Sequence, residues 1–185
     1  DRWRLPLVVA EVGVDPDWQH APVFRHDYAM REMGMYFELL THARPQAVLL
    51  WEHSDDYPVL ARDADGRFAT TARWGLQRQW TAYTPRGSLA IGCDVLTGDR
   101  LDACSFTHGA EGAGLTVHLG NRVGARICRV GKLPPSVTVL RVVQTTSDEH
   151  AHAMGELQPQ NGELRLELPA ESLTTLTTLP FADPR

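Results

Sequence analysis

The sequence predicts an α/β region followed by an all-β region, with the change near residue 84. Two observations indicate the first region: residues 5–10 and 47–51 are apolar at every position, and a helical pattern follows each of them. Uninterrupted apolar segments of this length are typical of strands buried on both faces of a parallel sheet. A third observation indicates the second region, because short strand-like segments separated by turn residues follow one another over residues 88–178.

The α/β region is predicted to contain two βα units. After the first strand, Asp27 is a good N-cap for a helix over residues 28–43, which Pro45 ends. After the second strand and a long loop, Thr70 or Thr71 caps a second helix. Polar residues concentrate just after each strand, which is where a (β/α)₈ TIM barrel builds its active site. Two units cannot close a barrel, so most of such a barrel is missing from this chain.

The all-β region is expected to form an antiparallel β-sandwich. In the segments 114–120 and 163–168, apolar and polar residues alternate, which indicates strands with one face in the core and the other outside. Seven short strands in succession are typical of a sandwich. The candidate strands are 88–95, 101–107, 114–120, 123–130, 136–144, 163–168 and 172–178.

Composition and charge exclude several classes of protein. A chain of 185 residues, 43% hydrophobic and 22% charged, fits one or two folded globular domains. The net charge of -5 and the lack of a basic cluster argue against a nucleic-acid partner. No apolar run approaches the ~20 residues that span a bilayer. The chain begins Asp-Arg-Trp-Arg, so we expect a fragment, a processed chain or one part of a split protein, and its compartment stays open.

The three cysteines leave two alternatives open. A hairpin centred between Gly98 and Asp99 would place Cys93 directly opposite Cys104, and the two could then form a cross-strand disulfide. The favoured interpretation is two small buried apolar side chains. No Cys-x-x-Cys spacing suggests a zinc site.

Glu11 and Trp51 are the sharpest candidate functional residues. Glu11 stands at the exit of the first apolar strand and precedes a small, flexible Val-Gly pair, so its carboxylate is expected to point into a cleft. The alternative is an ordinary loop glutamate in solvent. Trp51 ends the next strand, where an indole could stack on the apolar C–H face of a sugar ring. The alternative is a tryptophan that closes the core.

The loops after the two strands hold further candidates. Such loops line the substrate cleft of a barrel enzyme, although surface residues have the same composition. His53, with Asp55 and Asp56, has the residue types of a metal site, but the spacing is not diagnostic and loop carboxylates are usually solvated. No metal and no cofactor are therefore expected. The candidate substrate-binding residues of these loops are Trp18, His20, Glu52 and His53.

The order of these elements resembles the C-terminal portion of the clan A retaining glycoside hydrolases, and its appearance is nearest to glycoside hydrolase family 30. Residues 4–13 (RLPLVVAEVG) look like the seventh barrel strand of that clan, and residues 47–52 (AVLLWE) look like the eighth. Residues 74–83 (WGLQRQWTAY) resemble the last barrel helix. The resemblance implies that residues 1–84 are the last two βα units of a (β/α)₈ barrel.

The second half of the chain extends the resemblance. Residues 101–106 (LDACSF) and 114–119 (GLTVHL) look like early strands of the β-sandwich that accompanies such barrels. Residues 168–176 (LPAESLTTL) are similar to its final strand. The resemblance therefore implies that residues 85–185 form a β-sandwich side domain.

The resemblance also implies a mechanism and its residues. Glu11 corresponds to the catalytic nucleophile and Trp51 to the floor of the sugar site, and the substrate is an oligosaccharide or polysaccharide. The acid/base of that clan follows the fourth barrel strand, so it is expected in the remaining N-terminal part of the barrel, on the same or a separate chain. Two alternatives stay open: a non-catalytic carbohydrate-binding or structural sandwich, and a catalytically inactive relative.

Overall fold

The computed structural model describes residues 5–14, 22–51 and 58–182. The chain divides into two compact units, residues 1–74 and 75–185. The division falls inside the second helix, whereas the predicted domain boundary follows that helix. Within the described ranges, neither helix is long and apolar enough to cross a membrane.

The first unit contains a β-α-β segment followed by a short hairpin and the start of a second helix. Strands β1 and β2 pair in parallel, as expected for strands joined by a helical crossover. The elements are β1 (Val8–Val12), a 3-10 turn (Pro22–Phe24), α1 (His26–Glu38) with a π-helical extension (Leu39–Ala43), β2 (Ala47–Leu50), β3 (Leu60–Arg62), β4 (Phe68–Thr70) and α2 (Ala72–Tyr83).

Strands β1 and β2 are more exposed than their apolar sequences predict. Val8 is 49% exposed and Leu49 is 53% exposed, although both strands were expected to be buried on both faces. The reason is that β1 and β2 form a two-stranded sheet, to which the described residues add no third strand. Side chains that a neighbouring strand or helix would cover therefore meet solvent.

Helix α1 begins differently from the prediction and ends in agreement with it. Its N-cap is Arg25, which makes no side-chain capping bond, whereas Asp27 lies in the first turn. The Arg25 guanidinium bonds to the Asp27 carboxylate, and this bond is the main reason that the pKa of Asp27 is lowered. A negative charge in the first turn also favours the helix. The helical segment ends where Arg44 turns left-handed (φ 49°), immediately before Pro45.

The hairpin of β3 and β4 lies in a segment that the sequence predicted as a loop. Its strands have three residues each, too few for a visible alternation. One carboxylate oxygen of Asp63 accepts hydrogen bonds from the backbone N–H groups of Asp65 (3.0 Å) and Arg67 (2.9 Å). Gly66 takes a φ of 76°, which favours glycine. Asp63 and Gly66 were therefore turn signals whose flanking strands were missed.

The second unit consists mainly of antiparallel strands. Six of them form one sheet in the order β10-β9-β12-β7-β6-β5, and β8 pairs with β11 in a second sheet. Strand β10 was not predicted, because its segment lacks apolar alternation and contains a bulge between Ala153 and Gly155. The strands are β5 (Leu89–Ile91), β6 (Leu101–His108), β7 (Gly114–Asn121), β8 (Arg126–Val130), β9 (Leu140–Thr145), β10 (His152–Leu157), β11 (Leu164–Leu168) and β12 (Ser172–Thr177).

One apolar core joins these two sheets. Alternate residues of β7 and β11 supply half of its buried members, as their sequence pattern predicts. Packing of two sheets through their inner faces is the arrangement of a β-sandwich. The buried members are Leu115, Val117, Leu119, Cys128, Leu133, Val137, Leu140, Val142, Leu164, Leu166, Leu168 and Leu176.

The cysteines are free thiols, which agrees with the favoured interpretation, although Cys104 is buried and Cys93 is only half-buried. The predicted hairpin register is wrong by one residue, because Ile91 pairs with Ser105. A shift of one residue moves side chains to opposite faces of a sheet, so this register does not place Cys93 directly opposite Cys104. Burial raises the pKa of the Cys93 thiol and raises that of Cys104 well above its usual value.

Gln79 of α2 is a fully buried polar side chain of the second unit. The two N–H groups of its amide nitrogen are shared among three acceptors, the backbone carbonyls of Val143 and Leu173, both at 3.1 Å, and the hydroxyl of Thr175 at 2.8 Å. Its amide oxygen accepts from the hydroxyl of Thr145 at 2.6 Å. One side chain thus joins the helix to β9 and β12.

His118 of β7 is a second buried polar residue beside the same helix. Its two ring nitrogens lie 2.9 Å from the Thr175 hydroxyl and 2.8 Å from the Thr84 hydroxyl. Its ring stacks on Trp80 with 4.4 Å between centroids and 13° between planes. Complete burial lowers the pKa of His118 from 6.5 to about 3, so the imidazole is neutral in the folded protein at neutral pH.

Replacement of Gln79 by Met is expected to lower the free energy of unfolding by about 2–4 kcal/mol. The substitution keeps the volume but leaves buried carbonyl and hydroxyl groups without the amide. Urea denaturation measures the change. Gln158→Met, at an exposed position, is the matched control, and an equal loss in both variants would contradict the role given to Gln79.

Protonation of His118 makes the stability depend on pH. Because the pKa is lowered in the folded state, unfolded chains bind the proton first, so this stability is fully present above pH 6.5 and is lost as the pH falls towards 3. Between pH 7 and pH 5 the loss is about 2 kcal/mol. We expect His118→Gln to remove this part of the pH dependence in urea titrations, while His152→Gln, at an exposed histidine, keeps it. Parallel pH profiles for wild type and His118→Gln would contradict the assignment.

Candidate functional site

Glu11 lies near the end of β1 with an exposed side chain. Val9 pairs with Val48 of β2, whereas Val12 pairs with Leu50, so β1 contains one residue more than β2 in the interval that holds Glu11. An extra residue of this kind is a β-bulge, which re-aims a side chain and is frequent next to active sites. The change of register therefore falls on the two residues Ala10 and Glu11.

Trp51 follows β2 directly, and 45% of its surface is exposed. Its backbone N–H donates a hydrogen bond of 2.8 Å to the carbonyl of Val12, the residue after Glu11. Because β1 and β2 are parallel, their carboxyl ends lie at the same edge of the sheet. The structure thus brings Glu11 and Trp51 to one edge, with their backbones joined.

Three backbone carbonyls at this edge receive hydrogen bonds. The Val12 carbonyl accepts from Trp51, as described. The Val14 carbonyl accepts from the buried Tyr28 hydroxyl of α1 at 2.5 Å. The Trp51 carbonyl accepts from the Arg73 guanidinium of α2 at 3.3 Å. The backbone at the ends of both strands is therefore held by donors from the residue after β2 and from both helices.

Arg73 is itself held by a buried ion pair with Glu32 of α1. The guanidinium Nε lies 2.8 Å from one carboxylate oxygen of Glu32 and Nη2 lies 3.1 Å from the other. The side chains are only 1% and 2% exposed. The Tyr36 hydroxyl donates a further hydrogen bond of 3.0 Å to Glu32. Two N–O contacts therefore join the side chains, and the contact from Nη2 is a charge-assisted hydrogen bond.

Sequence reasoning missed this polar group, although α1 carried a signal for it. Tyr28, Glu32 and Tyr36 recur every four residues, a spacing that places them in one row on a helix. A glutamate inside a buried row needs a partner. The partner, Arg73, is 41 residues further along the chain, so the pair could not be identified from local spacing.

The other predicted site residues lie outside the described residues. They are Trp18, His20, Glu52 and His53, together with Asp55 and Asp56 of the loosely metal-like group. In the ranges 5–14, 22–51 and 58–182, no group of three or more His, Cys, Asp or Glu side chains could hold a metal ion.

The second unit has a surface groove of about 570 Å³ beside the start of β9. No acidic, basic or aromatic side chain lines it, so it offers neither an acid/base pair nor a ring on which a sugar could stack. The edge that carries Glu11 is the better candidate for chemistry. The lining residues are Leu133, Pro134, Pro135, Val137, Thr138, Gln158, Pro159, Asn161 and Gly162.

Solved structures of glycoside hydrolases share this fold. A GH30 endoxylanase from Clostridium papyrosolvens C71 matches 93% of this chain with a TM-score of 0.76 and 16% identity, over 41% of its own length. A family 30 subfamily 8 xylanase from Clostridium acetobutylicum matches 93% of the chain with a TM-score of 0.77 and 12% identity, over 42% of its length. The predicted resemblance to family 30 is thus confirmed as a likeness of fold.

The likeness extends to a second glycoside hydrolase family. A GH51 alpha-L-arabinofuranosidase from Thermotoga petrophila RKU-1 matches 94% of the chain with a TM-score of 0.62 and 11% identity, over 43% of its length. The chain therefore spans about two fifths of each of these structures. Neither a family model nor a curated protein matches the sequence. The shared fold makes a glycosidase the class of protein to test.

Proposed function

We propose that this chain is the nucleophile-bearing, C-terminal portion of a retaining glycoside hydrolase. The observation that carries the proposal is the placement of both Glu11 and Trp51 at one edge of the parallel strands, in a chain with the fold of GH30 and GH51 enzymes. An exposed carboxylate beside an exposed indole has the two properties that a sugar site needs. The carboxylate attacks, and the indole presents an apolar face to the pyranose or furanose ring.

The reaction is a double displacement. The Glu11 carboxylate attacks the anomeric carbon and forms a glycosyl ester, while a second carboxylic acid protonates the departing oxygen. That second group, now a carboxylate, removes a proton from water, and the water hydrolyses the ester and frees Glu11. The two carboxyl groups must lie about 5–5.5 Å apart. The acid/base belongs to the remaining N-terminal part of the barrel, on the same or a separate chain.

The exposure of β1 and β2 supports the proposal that these two strands belong to a larger barrel. Val8 and Leu49 are about half exposed, and the remaining strands of a (β/α)₈ barrel would border the pair and cover such side chains. The first unit then supplies the seventh and eighth βα units, and the second unit is a β-sandwich side domain. The substrate is an oligosaccharide or polysaccharide, which Trp51 contacts together with Trp18, His20, Glu52 and His53.

A non-catalytic carbohydrate-binding module is the competing function for the second unit. Such modules use exposed aromatic rings, and after Tyr83 the chain contains only Phe106 and Phe181. Phe106 is 5% exposed, and Phe181 is 38% exposed with the Arg141 guanidinium 5.9 Å from its ring centroid. These two residues do not make a stacking platform, so we assign the sandwich a supporting role.

Glu11→Gln in the complete enzyme is expected to lower kcat by at least about 10⁴-fold, because an amide cannot form the glycosyl ester. Hydrolysis of an aryl glycoside measures the change. Glu38→Gln, which neutralises an exposed glutamate of α1, should leave kcat unchanged. A mechanism-based fluorosugar should label Glu11 in the wild type, and a label on another residue would refute the assignment. The isolated 185-residue chain is expected to show no turnover.

Trp51→Ala is expected to weaken substrate binding, because the sugar ring loses its aromatic floor. Stacking contacts of this kind are worth about 0.5–1.5 kcal/mol beyond area burial, so KM should rise by about 3- to 10-fold or more. Trp51→Phe keeps an aromatic face and should restore most of the affinity. An unchanged KM in Trp51→Ala would remove Trp51 from the sugar site while leaving the role of Glu11 open to its own test.

A further inference from the structure

The backbone that follows Glu11 and Trp51 is fixed by buried polar side chains that the proposed chemistry does not use. Tyr28 donates to the carbonyl of Val14. Arg73 donates to the carbonyl of Trp51 and is held in turn by Glu32. We propose that Tyr28, Glu32 and Arg73 are positioning residues that set the placement of Glu11 and Trp51. This inference rests on the proposed function.

Helix α1 is the element that connects the two positions. Tyr28 and Glu32 are one turn apart in one row of the helix. The first acts on the segment after β1, and the second acts, through Arg73, on the segment after β2. A single rigid helix therefore fixes the two strand ends together, which keeps the nucleophile and the aromatic floor in register.

The hydrogen bond between the strands completes the connection. Trp51 donates through its backbone N–H to the carbonyl of Val12 at 2.8 Å and accepts through its own carbonyl from Arg73 at 3.3 Å. A displacement of Arg73 is therefore transmitted along the Trp51 backbone, from its carbonyl to its N–H, to the residue that adjoins Glu11. Retaining hydrolysis depends on such placement, because a misplacement of about 1 Å can cost about 100-fold in rate.

The competing explanation is that these residues only stabilise the fold. Substitution of both members of the ion pair separates a positioning role from a purely stabilising one. Removal of Arg73 alone leaves the buried Glu32 carboxylate without its cation, which destabilises the fold regardless of the site. Glu32→Met with Arg73→Met removes both charges and keeps apolar volume, so we expect the fold to be retained while the donor to Trp51 is lost. Tyr28→Phe removes only a hydroxyl and tests the other anchor with a smaller change.

The experiment uses the complete enzyme with three variants: Glu32→Met/Arg73→Met, Tyr28→Phe and the control Gln79→Met. Hydrogen exchange of the peptide that covers residues 47–51 includes the Trp51 N–H and is measured independently of any activity. We expect exchange at this peptide to be about 10-fold faster in the double variant and kcat to fall by about 10- to 100-fold, with a smaller change in KM. Tyr28→Phe should lower kcat by several fold.

Gln79→Met should lose stability and keep both kcat and the exchange rate of residues 47–51. An equal fall of kcat in Gln79→Met and in the double variant would overturn the inference, since general destabilisation would then explain both. Wild-type exchange and kcat in a folded double variant would also overturn it. If the double variant does not fold, Tyr28→Phe decides alone: a lowered kcat at an unchanged melting temperature supports the inference, and wild-type kcat refutes it.

If the proposed function is wrong, the same measurements give a different result. Glu11→Gln should abolish turnover and leave the exchange of residues 47–51 unchanged, because it touches none of the anchoring bonds. If Glu11→Gln keeps its activity, Glu11 is not the nucleophile. The exchange measurement then still tests whether Arg73 and Glu32 hold the Trp51 peptide.

Discussion

The hydrogen bond from the Trp51 N–H to the Val12 carbonyl is the interaction on which the candidate site depends. It joins the ends of β1 and β2 just where the extra residue of β1 has changed the register. It thereby connects the backbone segments that carry an exposed carboxylate and an exposed indole.

Polar side chains support the second unit in a comparable way. Gln79 and His118 both reach the hydroxyl of Thr175, so helix α2 meets the sheet through a hydrogen-bonded layer rather than through apolar packing alone. Every member of such a layer has a defined partner, and a shifted helix would leave buried groups unpaired. These neutral groups thus fix the geometry between α2 and the sheet, whereas the first unit uses an ion pair.

The sequence predicted those features that depend on local pattern. The apolar segments of β1 and β2, the alternation of β7 and β11 and the helix end at Pro45 were all visible in consecutive residues. The Arg25 cap, the short hairpin and β10 were not, because three-residue strands and a bulged edge strand carry almost no periodicity. The hairpin register of Cys93 and Cys104 failed for a related reason, since one residue of turn length decides which face a side chain occupies.

At the candidate site, too, local sequence pattern predicted some features and not others. Position after an apolar strand was enough to single out Glu11 and Trp51, whereas their supports join residues far apart in sequence. Glu32 gave only the hint of an acid in a buried helical row, and nothing local indicated that its partner is Arg73.

The chemistry of the Glu32–Arg73 ion pair indicates why the protein uses it. A buried ion pair is costly to desolvate, and an apolar pair of the same size is often as stable or more stable. Stability alone therefore gives no reason for Glu32 and Arg73. What an apolar pair cannot supply is a donor aimed at the Trp51 carbonyl. The guanidinium supplies such a donor through Nη2 while it stays paired with the Glu32 carboxylate. The ion pair is best understood as the means of fixing the carbonyl of Trp51, whose N–H bonds to the residue next to Glu11.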